Sequence, residues 1–272
     1  MVEGVSGGLI TEEQKRQFDE MGFVVIKGLF AQTEIEEIKN HFMNLHANRL
    51  IPGYRPLSAE ESGGDILKQY PRMMNPSRKD ELAQSYMLHP KVLGVLSDLF
   101  GEEPLAAQDM FYFKPPGARG QALHQDNFFL KVEPGTCIAS WIAVDSTDEE
   151  NGCLTVVPRT HELDIQCARD TKRTDLFAYP KEVPVPEGMN EANVHMDAGD
   201  VLFFGGSLIH GSYPNRSQTR FRRAYICHYA GMSVARIGAG RRLVRYDGTV
   251  IERELNTDAG PCGGVEVDLT YN

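Results

Sequence analysis

No apolar run in this 272-residue chain approaches the roughly 18 residues needed to span a bilayer. The longest, around "VLFFGGSLI", suits a buried strand. Nor is there a surplus of positive charge: the net charge is −10, which argues against nucleic acid or an anionic membrane as the main partner. A local pocket can still oppose that global sign and take an anionic small molecule. The opening "MVEGVSGGLITEEQ" lacks the basic start and apolar core of a secretory signal. Cys-x-x-Cys spacing is absent. The five cysteines, Cys137, Cys153, Cys167, Cys227 and Cys262, are odd in number and scattered, which predicts reduced thiols in a cytoplasmic protein rather than a disulfide framework or a thiolate zinc site. Nothing in the chain signals an oligomeric state.

The composition, 41% hydrophobic and 24% charged, is that of a globular chain with a substantial core. Residues 1–103 read as helices around one strand. Thr11 with Gln14 forms a capping box and Gly22 a helix stop, after which "FVVIKGLF" is a short strand. A second box is predicted at Thr33 and Glu36, opening a helix whose Ile35, Ile38, Phe42 and Leu45 recur at helical spacing. Pro90 and Gly101 bracket a later helix. From about 104 to 230 the pattern changes to short β-branched and aromatic runs between turn signals, as in an all-β sandwich or barrel. Residues 231–272, with "GAGRR" and "AGPCGG", show no regular pattern. The expected organisation is a single domain over 1–272, with the helical layer buttressing the β core.

The chemistry starts from "LHQDNFFL". On a strand, residues i and i+2 share a face, so His124 and Asp126 can offer an imidazole and a carboxylate to one point. His195 and Asp197 repeat the spacing, but in a "DAGD" turn that occupies the aspartate. His210, read as the end of an apolar strand, is a natural third ligand, although a rim histidine satisfying a carbonyl would look the same. Two histidines and one carboxylate leave three positions of an octahedral metal open, the arrangement of non-haem Fe(II) oxygenases. Ser212 shares the face of His210. In "RFRRAYICHYA", alternation puts Arg220, Arg222, Ala224 and Ile226 on one face and Arg223, Tyr225 and Cys227 on the other. An arginine directed into the core needs an anion, and a dicarboxylate would supply one.

In order, "FYFKPPG", "LHQDNFFL", "SWIAVDSTDEENGCLTVVPRTHEL", "GDVLFFGGSLIHGS" and "NRSQTRFRRAYICHYA" resemble the phytanoyl-CoA dioxygenase family of Fe(II)- and 2-oxoglutarate-dependent oxygenases. The resemblance is close over 104–230 and looser at "FDEMGFVVIKGLF". It implies a mainly β fold with flanking helices, a double-stranded β-helix (jelly-roll) core. It further implies Fe(II) on His124, Asp126 and His210, with 2-oxoglutarate and O2 consumed to release succinate and CO2 as a C–H bond of a small molecule is hydroxylated. Retention of Asp126 speaks against a halogenase. Ser212 and an arginine of "RFRRA" correspond to the cosubstrate site. The commoner spacing falls on Phe221 here, so one residue inserted in the turn selects Arg222, with Arg223 as the alternative. Trp141 matches an aromatic position near the cosubstrate, and Gln108, Tyr112 and Thr155 lie on strands that can line the cavity. Asn127, Phe128, Phe129, Arg72, Asn75 and Arg78 are substrate-pocket candidates. Lys114 is structural or undetermined, His161 shapes a loop, and His228 reads as a core histidine. The alternatives are a zinc-type hydrolase or isomerase on the same ligands, and a non-catalytic protein binding 2-oxoglutarate or another small ligand.

Overall fold

Thr11 and Gln14 cap the first helix reciprocally: the Gln14 N–H donates to the Thr11 hydroxyl and the Thr11 N–H to the Gln14 amide oxygen. The helix runs Glu12–Met21 and ends at Gly22, whose φ of 83° suits only glycine without strain. The computed structural model describes residues 8–177 and 181–262. The start of the expected helical layer and the end of the C-terminal segment lie outside the described residues. The second helix, Gln32–Ala47, starts earlier than the predicted Thr33 box. Glu34 reaches back to accept from the Ala31 N–H at 2.7 Å, and alanine has no side-chain acceptor to complete the pair. The four expected apolar residues, Ile35, Ile38, Phe42 and Leu45, are its buried face. Pro90 opens the helix Pro90–Phe100 and Gly101 closes it.

Two sheets form the core. The larger orders Phe23–Ile26, Val201–Gly205, Ile138–Ala143, Ala224–Gly231, Pro104–Tyr112, Leu243–Val244 and Val250–Ile251. The smaller orders Ala192–Val194, Leu154–Val156, His210–Ser212, Gly120–His124 and Leu176–Phe177. Alternation sorts the larger sheet into two apolar faces. Val201, Ile142 and Tyr225 are neighbours across three strands and join the cluster that includes Phe42, Val92 and Leu96 of the helices. Phe42 stacks on Phe111 with centroids 4.1 Å apart. Leu202, Trp141 and Ile226 form the opposite row and meet Leu154, Val156 and Val194 of the smaller sheet. The helices therefore explain why these strands are apolar on both faces. The architecture is the mainly β double-stranded β-helix with flanking helices.

Three expectations need correction. "VLFFGGSLIH" is two strands rather than one: Val201–Gly205 lies in the larger sheet and His210–Ser212 in the smaller. The chain crosses between them at Gly206, where a Cβ would stand 2.2 Å from the Cys137 sulfur. The C-terminal segment carries short strands. Arg236–Ile237 pairs with Glu254–Leu255, and Leu243–Val244 extends the larger sheet through Ala106. Two-residue strands have no periodicity to read. Finally, Cys167 and Cys262 are disulfide-bonded across 95 residues, while Cys137, Cys153 and Cys227 are free and buried. The pairing depends on the C-terminal segment folding back, which spacing along the chain does not encode. Among the described residues no helix is long and apolar enough to cross a membrane.

Candidate metal and cosubstrate centre

His210 and His124 are direct partners across antiparallel strands of the smaller sheet. The strand ends at His124, and Asp126 follows at the entry to the one-turn helix Asn127–Leu130. A turn, rather than continued pleating, thus returns the carboxylate to the imidazoles. His124 Nε2 lies 3.4 Å from Asp126 Oδ1, and His210 Nε2 lies 3.7 Å from Oδ2. One ligand atom from each of the three residues falls within 4.8 Å of the others.

The second ring nitrogens are engaged. His124 Nδ1 faces the Ala122 carbonyl at 2.8 Å and His210 Nδ1 the Leu208 carbonyl at 3.0 Å. Donation there places each lone pair on Nε2, toward the metal position. Burial, then the neighbouring His124, push the His210 pKa down to about 4, which leaves a neutral imidazole fit to ligate at neutral pH. Burial opposes ionisation of Asp126, but His228 and His210 outweigh it and hold the carboxyl well below its usual range. This donor set fits Fe(II).

His228 is a residue that the sequence reading misplaced. It is buried, but its Nε2 lies 2.9 Å from Asp126 Oδ2 and it lines the cavity above the metal position. It holds the carboxylate rather than filling core. Gln125 ties this loop to the crossover between the sheets and to a neighbouring loop, donating to the Ser207 carbonyl at 2.7 Å and accepting from the Gln166 N–H at 2.6 Å.

The phytanoyl-CoA dioxygenase family model matches residues 18–224. The chain belongs to this family. Bovine (Bos taurus) peroxisomal phytanoyl-CoA dioxygenase is 29% identical over 246 residues, covering 82% of this chain and 69% of the relative. The crystal structure of the epimerase SnoN in complex with Fe3+, alpha ketoglutarate and nogalamycin RO superposes with a TM-score of 0.66 at 20% identity, covering 82% of this chain and 84% of that one. EctD from S. alaskensis with 2-oxoglutarate and 5-hydroxyectoine gives 0.66 at 18%, covering 85% and 79%. These two establish the fold; the family establishes an Fe(II)- and 2-oxoglutarate-dependent dioxygenase.

As a family member, the chain needs a place for the far carboxylate of 2-oxoglutarate. Of the three arginines in "RFRRA", Arg220 is held by Asp148 and Glu150, and Arg223 is held by both oxygens of Asp145, each at 2.8 Å. Arg222 has no carboxylate partner among the described residues. It is buried, donates from Nε to the Gly152 carbonyl at 3.1 Å and lies 5.2 Å over the Trp141 ring. Beside it is Lys114, equally buried, whose carbonyl accepts from the Arg222 N–H and whose ammonium donates to Ser212 Oγ at 2.9 Å. Burial and then the charge of Arg222 push the Lys114 pKa well down. Two buried basic side chains side by side, with no carboxylate partner among the described residues, need an anion to be charged together, and the donors fit the carboxylate.

The other candidates divide. A cavity of about 370 Å³ opens on His124 and Asp126 and is lined by Gln108, Tyr112, Phe129, Arg72 and Phe128, among others. Gln108, Met110 and Tyr112 alternate on one strand and share its inward face, with Gln108 Oε1 buried and without a partner. Thr155 does not reach this space. Leu154 and Val156 face inward, so parity turns Thr155 outward, where it donates to Glu191. Asn127 closes its own loop through the Val132 N–H and carbonyl. Arg78 donates to the Gly240 carbonyl, and with Asn75 it lines a smaller cavity. His195 pairs with exposed Glu149, and the His161 ring meets the Asp19 carbonyl.

Proposed function

We propose that this chain is one oxygenase domain that hydroxylates an unactivated C–H bond of a small molecule. His124, Asp126 and His210 would hold Fe(II), with His228 steadying the carboxylate. Arg222, Lys114 and Ser212 would hold the distal carboxylate of 2-oxoglutarate, and Trp141 would cover Arg222. When bound, the iron and its cosubstrate supply oxidation by O2, with release of succinate and CO2. The protein fixes the open coordination face, orients the cosubstrate and encloses the reacting bond away from water.

The observation that carries this reading is the pair Arg222 and Lys114, without a carboxylate partner among the described residues, beside two histidines and a carboxylate. A zinc hydrolase has no use for that pair. Anaerobic addition of Fe(II) and 2-oxoglutarate should produce a weak visible charge-transfer absorption, lost in His210→Ala. A small-molecule screen read by succinate release should then find turnover. Activity restored by zinc with no succinate would move the assignment to the hydrolase. Absorption without turnover on any substrate would favour a 2-oxoglutarate sensor.

A cytoplasmic location loses its support in reduced thiols once Cys167 and Cys262 are bonded, and alkylating thiols in intact cells tests it. A Cys167–Cys262 bond already formed there would argue against it.

A further inference from the structure

The segment "GAGRR" is unused by the reading above, yet the fold fixes it over the metal cavity. Gly238 donates to the Leu130 carbonyl at 2.7 Å, and a Cβ there would stand 2.9 Å from that oxygen. Arg78 holds the Gly240 carbonyl at 2.7 Å. Leu243–Val244 then joins the larger sheet. Between these anchors Arg241 lines the cavity, and its Nε is buried with no hydrogen-bond partner. Among the described residues no carboxylate forms an ion pair with it. Arg72 and Lys181 line the same space, whose one carboxylate among the described residues is the metal-site residue Asp126. The rest of the wall is mainly apolar, including Met110, Phe128, Phe129 and Phe177, with Gln108, Gln121, Gln125, Gln166 and Tyr112 as polar points among them.

We propose that Arg241, with Arg72, binds the carboxylate of a small amphiphilic acid whose apolar body lies along this wall toward His124 and Asp126. This rests on the oxygenase reading, in which the iron and the Arg222–Lys114 pair already engage the two carboxylates of 2-oxoglutarate. Arg241 is left over for the substrate. A guanidinium fork matches a carboxylate with two parallel hydrogen bonds, and a cation-lined cleft concentrates anions even in an acidic protein. The volume of about 370 Å³ lies in the small-molecule range of roughly 300–1,000 Å³.

The test uses anaerobic protein loaded with Fe(II) and 2-oxoglutarate, titrated calorimetrically with hexanoate, octanoate and phenylacetate, each against its neutral amide, and with octanoyl-CoA. At least one acid should bind about tenfold or more tighter than its amide and tighter than the thioester. Arg241→Gln should abolish that preference, Arg241→Lys should keep part of it, and both should retain the 2-oxoglutarate absorption. The proposal is overturned if no acid outbinds its amide, if octanoyl-CoA binds as tightly as the best acid, or if Arg241→Gln leaves acid affinity unchanged. Loss of the absorption in Arg241→Gln with acid binding intact would assign the arginine to the cosubstrate instead. Should the wild type give no absorption, the oxygenase reading fails on its own, and the acid–amide comparison still decides Arg241.

Discussion

Replacing Arg222 by methionine removes a charge while keeping an unbranched chain against Trp141. Arg222 is 3% exposed, and burial pushes its pKa down to about 10, about 3 kcal/mol against the charged form. Losing a charged hydrogen bond to Gly152, about 1.5–3 kcal/mol, and the contact with Trp141, about 0.5–2 kcal/mol, acts in the opposite direction. These opposing effects leave a net change on the order of 1 kcal/mol in the protein without cosubstrate. Breaking a buried ion pair, by contrast, costs about 3–5 kcal/mol. With cosubstrate the picture reverses, because the variant leaves the buried carboxylate to Lys114 and Ser212 without its guanidinium, at about 2–5 kcal/mol, a loss of roughly 30-fold or more in affinity. At a concentration 100 times the wild-type Kd, 2-oxoglutarate stabilises by about 2.7 kcal/mol. A 100-fold weaker variant retains about 0.4 kcal/mol. Anaerobic thermal melts with Fe(II) should therefore show a cosubstrate shift of about 5–10 °C in the wild type and about 1 °C in the variant. An Arg222→Met protein that is strongly destabilised without 2-oxoglutarate, yet keeps the full shift, would refute the reasoning.

Other substitutions separate the site from its scaffold. His228→Leu removes the donor to Asp126 and should weaken Fe(II) binding about 10- to 100-fold in a chelator competition, with unchanged affinity reducing His228 to packing. Gly211→Ala puts a Cβ 2.7 Å from the Gln121 carbonyl oxygen, which forces His210 and Ser212 away from their neighbours. The charge-transfer absorption should fall while the circular dichroism persists, and an unaltered absorption would show that the strand can shift without cost to the site. Phe42→Ala opens the helix–sheet layer and should cost about 3–5 kcal/mol in urea denaturation. It should leave the absorption intact in the folded protein, because Phe42 packs on the face turned away from the iron.

Strand parity accounts for much of what was legible and for two things overlooked. Alternation separated Arg222 from Arg223, and the family resemblance with one residue inserted in the turn selected Arg222; the ion pair with Asp145 holds Arg223 elsewhere. The same count, carried on from Ala224 and Ile226, turns His228 inward, so its position beside Asp126 was available from the sequence. Thr155 was open to the same test, since Leu154 and Val156 claim the inward face on either side. Lys114 was not legible. A lysine is rarely fully buried, and only the approach of Ser212 and Arg222 from 98 and 108 residues away gives it a role. The Cys167–Cys262 bond and the placement of Arg241 likewise depend on the C-terminal segment folding back, and neither leaves a periodic trace.

The division between legible and illegible follows the scaffold. The metal-binding histidines sit on paired strands of the smaller sheet, with Asp126 one turn beyond, so short-range spacing reports them. Arg241 and both disulfide cysteines come from segments outside the two sheets' central strands, with Arg241 positioned by a few local anchors such as Gly238 on Leu130 and Arg78 on Gly240. Segments of that kind tolerate change without disturbing the core. One fold can therefore keep the oxidising centre while exchanging the residues that select what reaches it. An anion anchor on a loop is the kind of feature that would distinguish this chain from relatives that share its iron site.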